Sequence, residues 1–374
     1  MRRSLLALAA VLAALILPCA AGEGDQTQHG AGGAAAATAR PTAEQVISLA
    51  IGEVIRPGFS AYAEATTGLA AAIGAACAAP SDAALLAARE AFRAAVIAWS
   101  RIELYRLGPL LENNRAEAIL FWPDRKGIAL RQVQAALVEQ DESAADASTL
   151  AGKSVAMQGL VALELILFGN GAEALATGDA YRCRYALAIA TLQQGTAAAM
   201  AAEWADPAGI AQRLLAPSES DPEYRSFREV AEELTGLLAH GVELIRDQRL
   251  LPFLGRDGEA SRPKSALFWR SAMTVPSIAA NFAGLAELLQ RSRLAEATAA
   301  ENLWVGNGAG FEFSNAARTA ALVIDPVEAA LADPRQKRAL DYLVIVSRSL
   351  DTLLGENLAA ALGLSVGFSS LDGD

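Results

Sequence analysis

The amino-acid sequence predicts an all-α protein built as two tandem helical bundles. Three observations carry this. The chain is dense in Ala and Leu, both strong helix formers. Its long segments repeat apolar residues at helical spacing, and runs alternating apolar and polar residues in the manner of a half-buried strand are hard to find. Pro or Gly punctuates most of the gaps between these segments.

Taken in order, the first element is a leader. Arg2 and Arg3 precede an apolar run from Leu5 to Leu17 that closes on Cys19-Ala20-Ala21. This predicts a signal peptide over residues 1–21, with an apolar core too short to cross a bilayer comfortably. A lipid anchor on Cys19 is the rival reading, opposed by Pro18 where a small residue is expected. Residues 22–42, rich in Gly and Ala, read as a flexible tether. The mature protein is therefore expected in the periplasm or elsewhere in the cell envelope, with no transmembrane helix after processing.

Residues 43–216 form the first predicted bundle and 217–374 the second, divided at the polar stretch from Pro217 to Pro222. From Leu85, apolar residues recur at Ala88, Phe92, Val96, Trp99 and Ile102, one stripe of a helix started by Pro80-Ser81-Asp82 and ending before Gly108-Pro109. Val230, Leu234, Leu237, Leu238, Leu244 and Ile245 draw a second stripe. Leu340, Leu343, Val344, Leu350, Leu353 and Leu354 draw a third. Further helices are expected near 43–79, broken at Pro57-Gly58, and near 127–140, 154–168, 179–204, 275–295 and 315–332. Leu-Phe-Trp occurs at 120–122 and again at 267–269, which fits a duplicated bundle.

Composition excludes several chemistries. A net charge of −11, more negative still once Arg2 and Arg3 are removed, argues against a nucleic-acid partner. The only histidines are His29, in the tether, and His240, which excludes polyhistidine zinc sites and the H-E-x-x-H motif. No phosphate-binding, dinucleotide-binding, C-x-x-C or G-x-S-x-G pattern occurs. Cys77 and Cys183 remain after processing, and in an oxidising compartment a disulfide is expected, with two small buried thiols as the alternative.

The sharpest candidate is Glu164, the one charged residue in the apolar run from Val155 to Phe168. An ionised carboxylate there costs several kcal/mol unless an Arg, a metal ion or several donors answer it. A buried Arg–Glu pair and a functional site are both open. Glu103 lies on the core-facing stripe after Phe92, Val96 and Trp99, with Arg106 continuing that line. An i,i+3 pair or a polar pocket lined by both would account for them. Trp122 and Asp124 sit in Phe121-Trp122-Pro123-Asp124-Arg125, where Asp124 is suited to capping the next helix, and Arg115 lies just upstream. This loop is a candidate pocket wall. In the second half, Arg270, Ser271 and Asn281 are placed to face the first bundle or solvent.

At Gly159-Leu160-Val161-Ala162-Leu163-Glu164, followed by an apolar run, the chain resembles the imelysin family, whose hallmark is G-x-H-x-x-E. Val161 occupies the histidine position. The resemblance extends to Trp99-Ser100-Arg101-Ile102-Glu103 with Gly108-Pro109, to Phe121-Trp122-Pro123-Asp124, and to Arg270-Ser271 with Asn281. It implies a periplasmic or membrane-attached protein of two helical bundles, linked to iron or haem acquisition and first described as a metallopeptidase. Val161 has no lone pair to donate, so any remaining metal site must use oxygen donors such as Glu164 and Glu103, which favour iron or another hard cation over zinc.

Three functions are carried forward. The first is a protein that binds a metal ion or iron-related ligand in a polar pocket lined by Glu164, Glu103, Arg106, Trp122, Asp124 and Arg115, working with an envelope transport partner. The second is a degenerate metallopeptidase, and the missing histidine counts against it. The third is an interaction protein whose buried polar groups are structural.

Overall fold

The computed structural model describes residues 39–256 and 259–365; the expected leader and all but the end of the tether lie outside them. Among the described residues there is no strand. In chain order the first helices are α1 (Ala43–Leu49), α2 (Arg56–Ala78), α3 (Asp82–Ile102), α4 (Arg115–Ile119), α5 (Ile128–Glu139), α6 (Ala147–Leu150), α7 (Gly159–Phe168), α8 (Ala180–Ala205) and α9 (Ile210–Leu215). Beyond the loop containing Pro217 and Pro222 come α10 (Phe227–Leu244), α11 (Leu251–Leu254), α12 (Thr274–Arg291), α13 (Leu303–Ala320), α14 (Val327–Ala332), α15 (Pro334–Asp351) and α16 (Ala359–Leu362).

Local chemistry sets most of the starts. Ser81 caps α3 by accepting from the Ala84 amide, and Thr42 and Gln45 form a reciprocal capping box on α1. Pro57 does not break the first helix as expected. It lies in the first turn of α2, where a missing N–H costs little, and a π-helical stretch, Ala50–Ile55, carries α1 into α2. The helix expected near 315–332 is two helices, because α13 begins earlier, at Leu303, and ends at Ala320. Glycines at 306, 308 and 310 weaken helix propensity there, yet at Gly306 a β-carbon would lie 2.5 Å from that of Ala295. Close packing, rather than propensity, explains that residue.

The core is continuous across the chain. From Arg40 onward the chain clusters as one compact unit, and one apolar core draws on helices before and after Pro217. At its centre every residue of α7 from Gly159 to Leu167 is buried. The tightest approach between early and late helices is α3 against α12, where a β-carbon on Gly284 would lie 2.1 Å from the Arg101 carbonyl oxygen. Tyr105 donates its hydroxyl to the Gly284 carbonyl at 2.6 Å, fixing the same contact. Among the described residues no helix is long and apolar enough to cross a membrane.

Cys77 and Cys183 form the expected disulfide, joining α2 to α8 across 106 residues of sequence. A link closing so long a loop removes much conformational freedom from the unfolded chain, by about 5 kcal/mol on a chain-entropy estimate. Cys77→Ala/Cys183→Ala should therefore unfold at lower guanidinium concentration, with about 2–4 kcal/mol less stability. An unchanged midpoint would show that the bridge does not constrain the unfolded chain.

Candidate functional site

Two carboxylates of the early helices are buried, and each is answered from the later part of the chain. At the end of α3, Glu103 receives both oxygens' partners from one guanidinium, Arg249 Nη1 at 2.9 Å to each, with Asn281 Nδ2 adding a third bond at 3.1 Å. Arg249 Nη2 donates to Ser277 Oγ at 2.8 Å, and both ions are almost wholly removed from solvent. Of the two readings of Glu103, an i,i+3 pair with Arg106 or a pocket lined by both, neither describes this contact: the acid is paired, but with Arg249. Arg106 instead approaches Glu117 at 3.6 Å on the surface. Glu103 is buried between Arg249, which follows α10, and Asn281 of α12, whereas Arg106 is partly exposed beside Glu117.

Glu164, 2% exposed on α7, meets no ion-pair partner at hydrogen-bonding distance among the described residues. Its Oε1 accepts from the Ser271 amide at 2.9 Å and the Ser271 hydroxyl at 2.7 Å. Burial pushes the carboxyl above the ordinary glutamate range. The Ser271 donors and the nearby charge of Arg270 oppose that shift without cancelling it.

The segment that supplies Ser271 is unusual in its backbone. Phe268 and Ala272 both adopt left-handed φ, 60° and 57°, on either side of Trp269, Arg270 and Ser271. For residues with a β-carbon this costs about 1–2 kcal/mol each, so surrounding contacts must impose it. They include Thr274 Oγ1 to the Leu267 carbonyl, Arg93 Nε to the Ser271 carbonyl, and the Met273 amide to the Phe268 carbonyl. Arg270, whose charge also acts on Glu164, lines an adjoining cavity of about 330 Å³. Its walls are Phe168 to Asn170 after α7, Pro263 and Lys264, Trp269 and Arg270, and Pro326 to Glu328 at the start of α14.

A family model described as imelysin matches residues 55–354. The chain belongs to the imelysin family. Two solved structures share the imelysin fold seen here. One is an imelysin-like protein from Psychrobacter arcticum, 20% identical, covering 88% of this chain and 98% of its own, with a TM-score of 0.70. The other is a "putative iron-regulated protein A precursor" from Parabacteroides distasonis, 14% identical, covering 87% of this chain and 97% of its own, also with a TM-score of 0.70. No curated protein sequence matches the chain.

The remaining residues expected to line a pocket are each engaged with other protein groups. Arg115 forms a two-pronged pair with Glu203 at 2.6 and 2.7 Å and also donates to the Pro109 carbonyl. Asp124 caps α5 with both oxygens, accepting from the Ile128 and Ala129 amides. Trp122 donates to the Gln248 carbonyl at 2.9 Å, one residue before Arg249. The six residues thus do not converge on one pocket.

Nor do they fit a directly held cation. Both oxygens of Glu103 face Arg249, one oxygen of Glu164 takes both Ser271 donors, and Val161 offers no lone pair. Among the described residues no group of three or more His, Cys, Asp and Glu side chains is placed to hold a metal ion.

Arg249 was legible in the sequence as a buried charge. It continues the buried line of Leu238, Val242 and Ile245, a charge at an apolar position just as Glu103 is. The cavity-lining role of Arg270 and Lys264 had no such signal, because it depends on loop conformation.

Two outcomes follow from these contacts. Arg249→Met leaves Glu103 buried without a cation and should cost about 3–5 kcal/mol in denaturant unfolding, most of it recovered in Glu103→Leu/Arg249→Met. If the double variant is no more stable than the single, the pair is not the source of the loss. Glu164, whose folded carboxyl holds its proton more tightly than the unfolded chain does, contributes stability that is full below the ordinary glutamate range. That contribution is lost as pH rises through the raised folded value. Wild type should therefore lose stability relative to Glu164→Gln between acid and neutral pH, whereas parallel pH profiles would show an unshifted carboxyl.

Proposed function

We propose that this imelysin-family protein is an exported cell-envelope binding protein for an iron-related ligand, held in the cavity beside the Glu164–Ser271 contact. The carrying observation is the strained turn that fixes Ser271 on a buried carboxylate while presenting the adjacent Arg270 to that cavity. Backbone strain of this kind concentrates at functional sites, and the cavity combines aromatic walls with a few polar groups, as small-molecule sites do. The leader pattern of residues 1–21 supports export, and the iron-regulated precursor of the same fold supports the iron context.

In this reading Glu164 is a positioning residue. It orients Ser271, and through the turn Arg270, without touching the ligand. The reading requires neither a nucleophile nor a metal-activated water, and proteolysis gains nothing from Val161 at the position of the expected histidine. Glu103, Arg115, Asp124 and Trp122 hold the scaffold on which the cavity is built.

Trp269 lines the cavity, so its fluorescence reports occupancy. Titrating the purified full-length mature protein with soluble ferric complexes should give saturable quenching that is absent in Trp269→Phe, with no cleavage of casein under the same conditions. Failure of every ferric complex to bind, or casein cleavage abolished by Glu164→Gln, would overturn this reading.

A further inference from the structure

The cations around this cavity divide into two sets. Arg89, Arg93 and Arg182 gather behind Phe168 and Asn170, and each has a carboxylate of its own: Glu173, Glu90 and Asp179. They also serve the backbone. Arg89 donates to the Leu167 carbonyl, and Arg182 to the Ile166 and Asn170 carbonyls. These charges are occupied in holding the wall.

Arg270 and Lys264 are different. Both line the cavity, and among the described residues neither makes an ion pair. The Arg270 guanidinium lies over the Trp269 ring at 4.3 Å, and Lys264 Nζ approaches the same ring at 5.8 Å. A ring face holds a cation in place without neutralising it. Arg270 is half-buried, and burial disfavours its charge more than the neighbouring Glu164 favours it. Glu164, close enough for its charge to act on Arg270, accepts its hydrogen bonds from Ser271, and burial pushes its carboxyl above the ordinary range. One carboxylate, the exposed Glu328, lies on the rim. In a protein of net charge −11, a concave site whose described lining carries two cations and one exposed carboxylate is a local inversion of sign.

We propose that this cavity is an anion site, and that its ligand is a small oxyanion-bearing molecule bound through Arg270 and Lys264, not a bare cation. The inference rests on the preceding placement of the ligand and names its chemistry. A guanidinium seated over an indole face in the cavity wall keeps N–H donors that can pair two at a time with one carboxylate or phosphate. The iron-related cargo is then an anionic chelate, recognised through its ligand's oxygens. A free carboxylate or phosphate shares that chemistry, and its affinity relative to the chelate decides which source the site is built for. The volume of about 330 Å³ falls at the small end of ligand sites.

The test uses calorimetry on the full-length mature protein at low and physiological salt, with inorganic phosphate, citrate, ferric citrate and a cationic ferric trihydroxamate as separate probes. At least one of the three anions should bind, with affinity falling as salt rises, and the cationic complex should not. Arg270→Gln should weaken that binding by about tenfold or more, the loss of a charge-assisted hydrogen bond in a half-buried site. At the exposed positions, Lys264→Gln should weaken it roughly two- to fivefold, and Glu328→Gln should strengthen it by a similar factor. These two surface variants keep the test readable if Arg270→Gln fails to fold. Stronger binding of ferric citrate than of citrate identifies the chelate as ligand; the reverse identifies the free anion. Binding of the cationic complex alone would overturn the anion inference while leaving the binding-protein reading intact, and binding of no probe would overturn both. Anion binding unchanged in all three variants would remove the site from this cavity.

Discussion

A carboxylate taken out of water must find donors, and in this protein the donors for two of them come from far along the chain. Glu103 and Glu164 belong to helices before Pro217. Arg249, Ser271 and Asn281 belong to segments after it. Neither carboxylate is satisfied unless the later helices are docked in register, and the docking is close, since Gly284 lets α12 reach the backbone of α3. Breaking either contact strands a polar group in an apolar interior. The same requirement explains why a turn with two left-handed residues that carry β-carbons persists: its hydrogen bonds and the buried carboxylate determine it together.

The sequence disclosed much of this through charge at apolar positions. Glu164 stood alone in a run that proves buried on every side, and Glu103 continued the stripe of Trp99. Both were readable as inward-facing acids. Their partners were harder to name, because Arg106, near in sequence, competes on paper with Arg249, which lies 146 residues away and is brought in by tertiary packing. Ser81 as a cap and Cys77 with Cys183 as a bridge followed from local rules. The start of α13 did not, since glycines that lower helix propensity are there for close contact. Trp269 and Arg270 gave no periodic signal at all, because a turn obeys neither helical nor strand spacing.

Function then depends on which charges are spent. Most arginines near the cavity hold carboxylates or carbonyls and so form structure, as the pairs of Arg89, Arg93 and Arg182 illustrate. Arg270 and Lys264, without an ion pair among the described residues and close to the Trp269 ring, are the charges proposed to meet a ligand. The metal-ligand pair expected from Glu103 and Glu164 gives way to a cationic pocket for the same physical reason that the fold is held together. Those acids are satisfied by the protein, and the surplus that remains is positive.

Early and late helices should form one cooperative unit, because the buried carboxylates of the first are answered by the second. Native-state hydrogen exchange across increasing denaturant measures this directly. The slowest amides of α7 and α12 should open with the same free energy, and Ser271→Ala should lower both together. Opening of α12 at lower energy, with α7 still protected and unaffected by the substitution, would contradict the account.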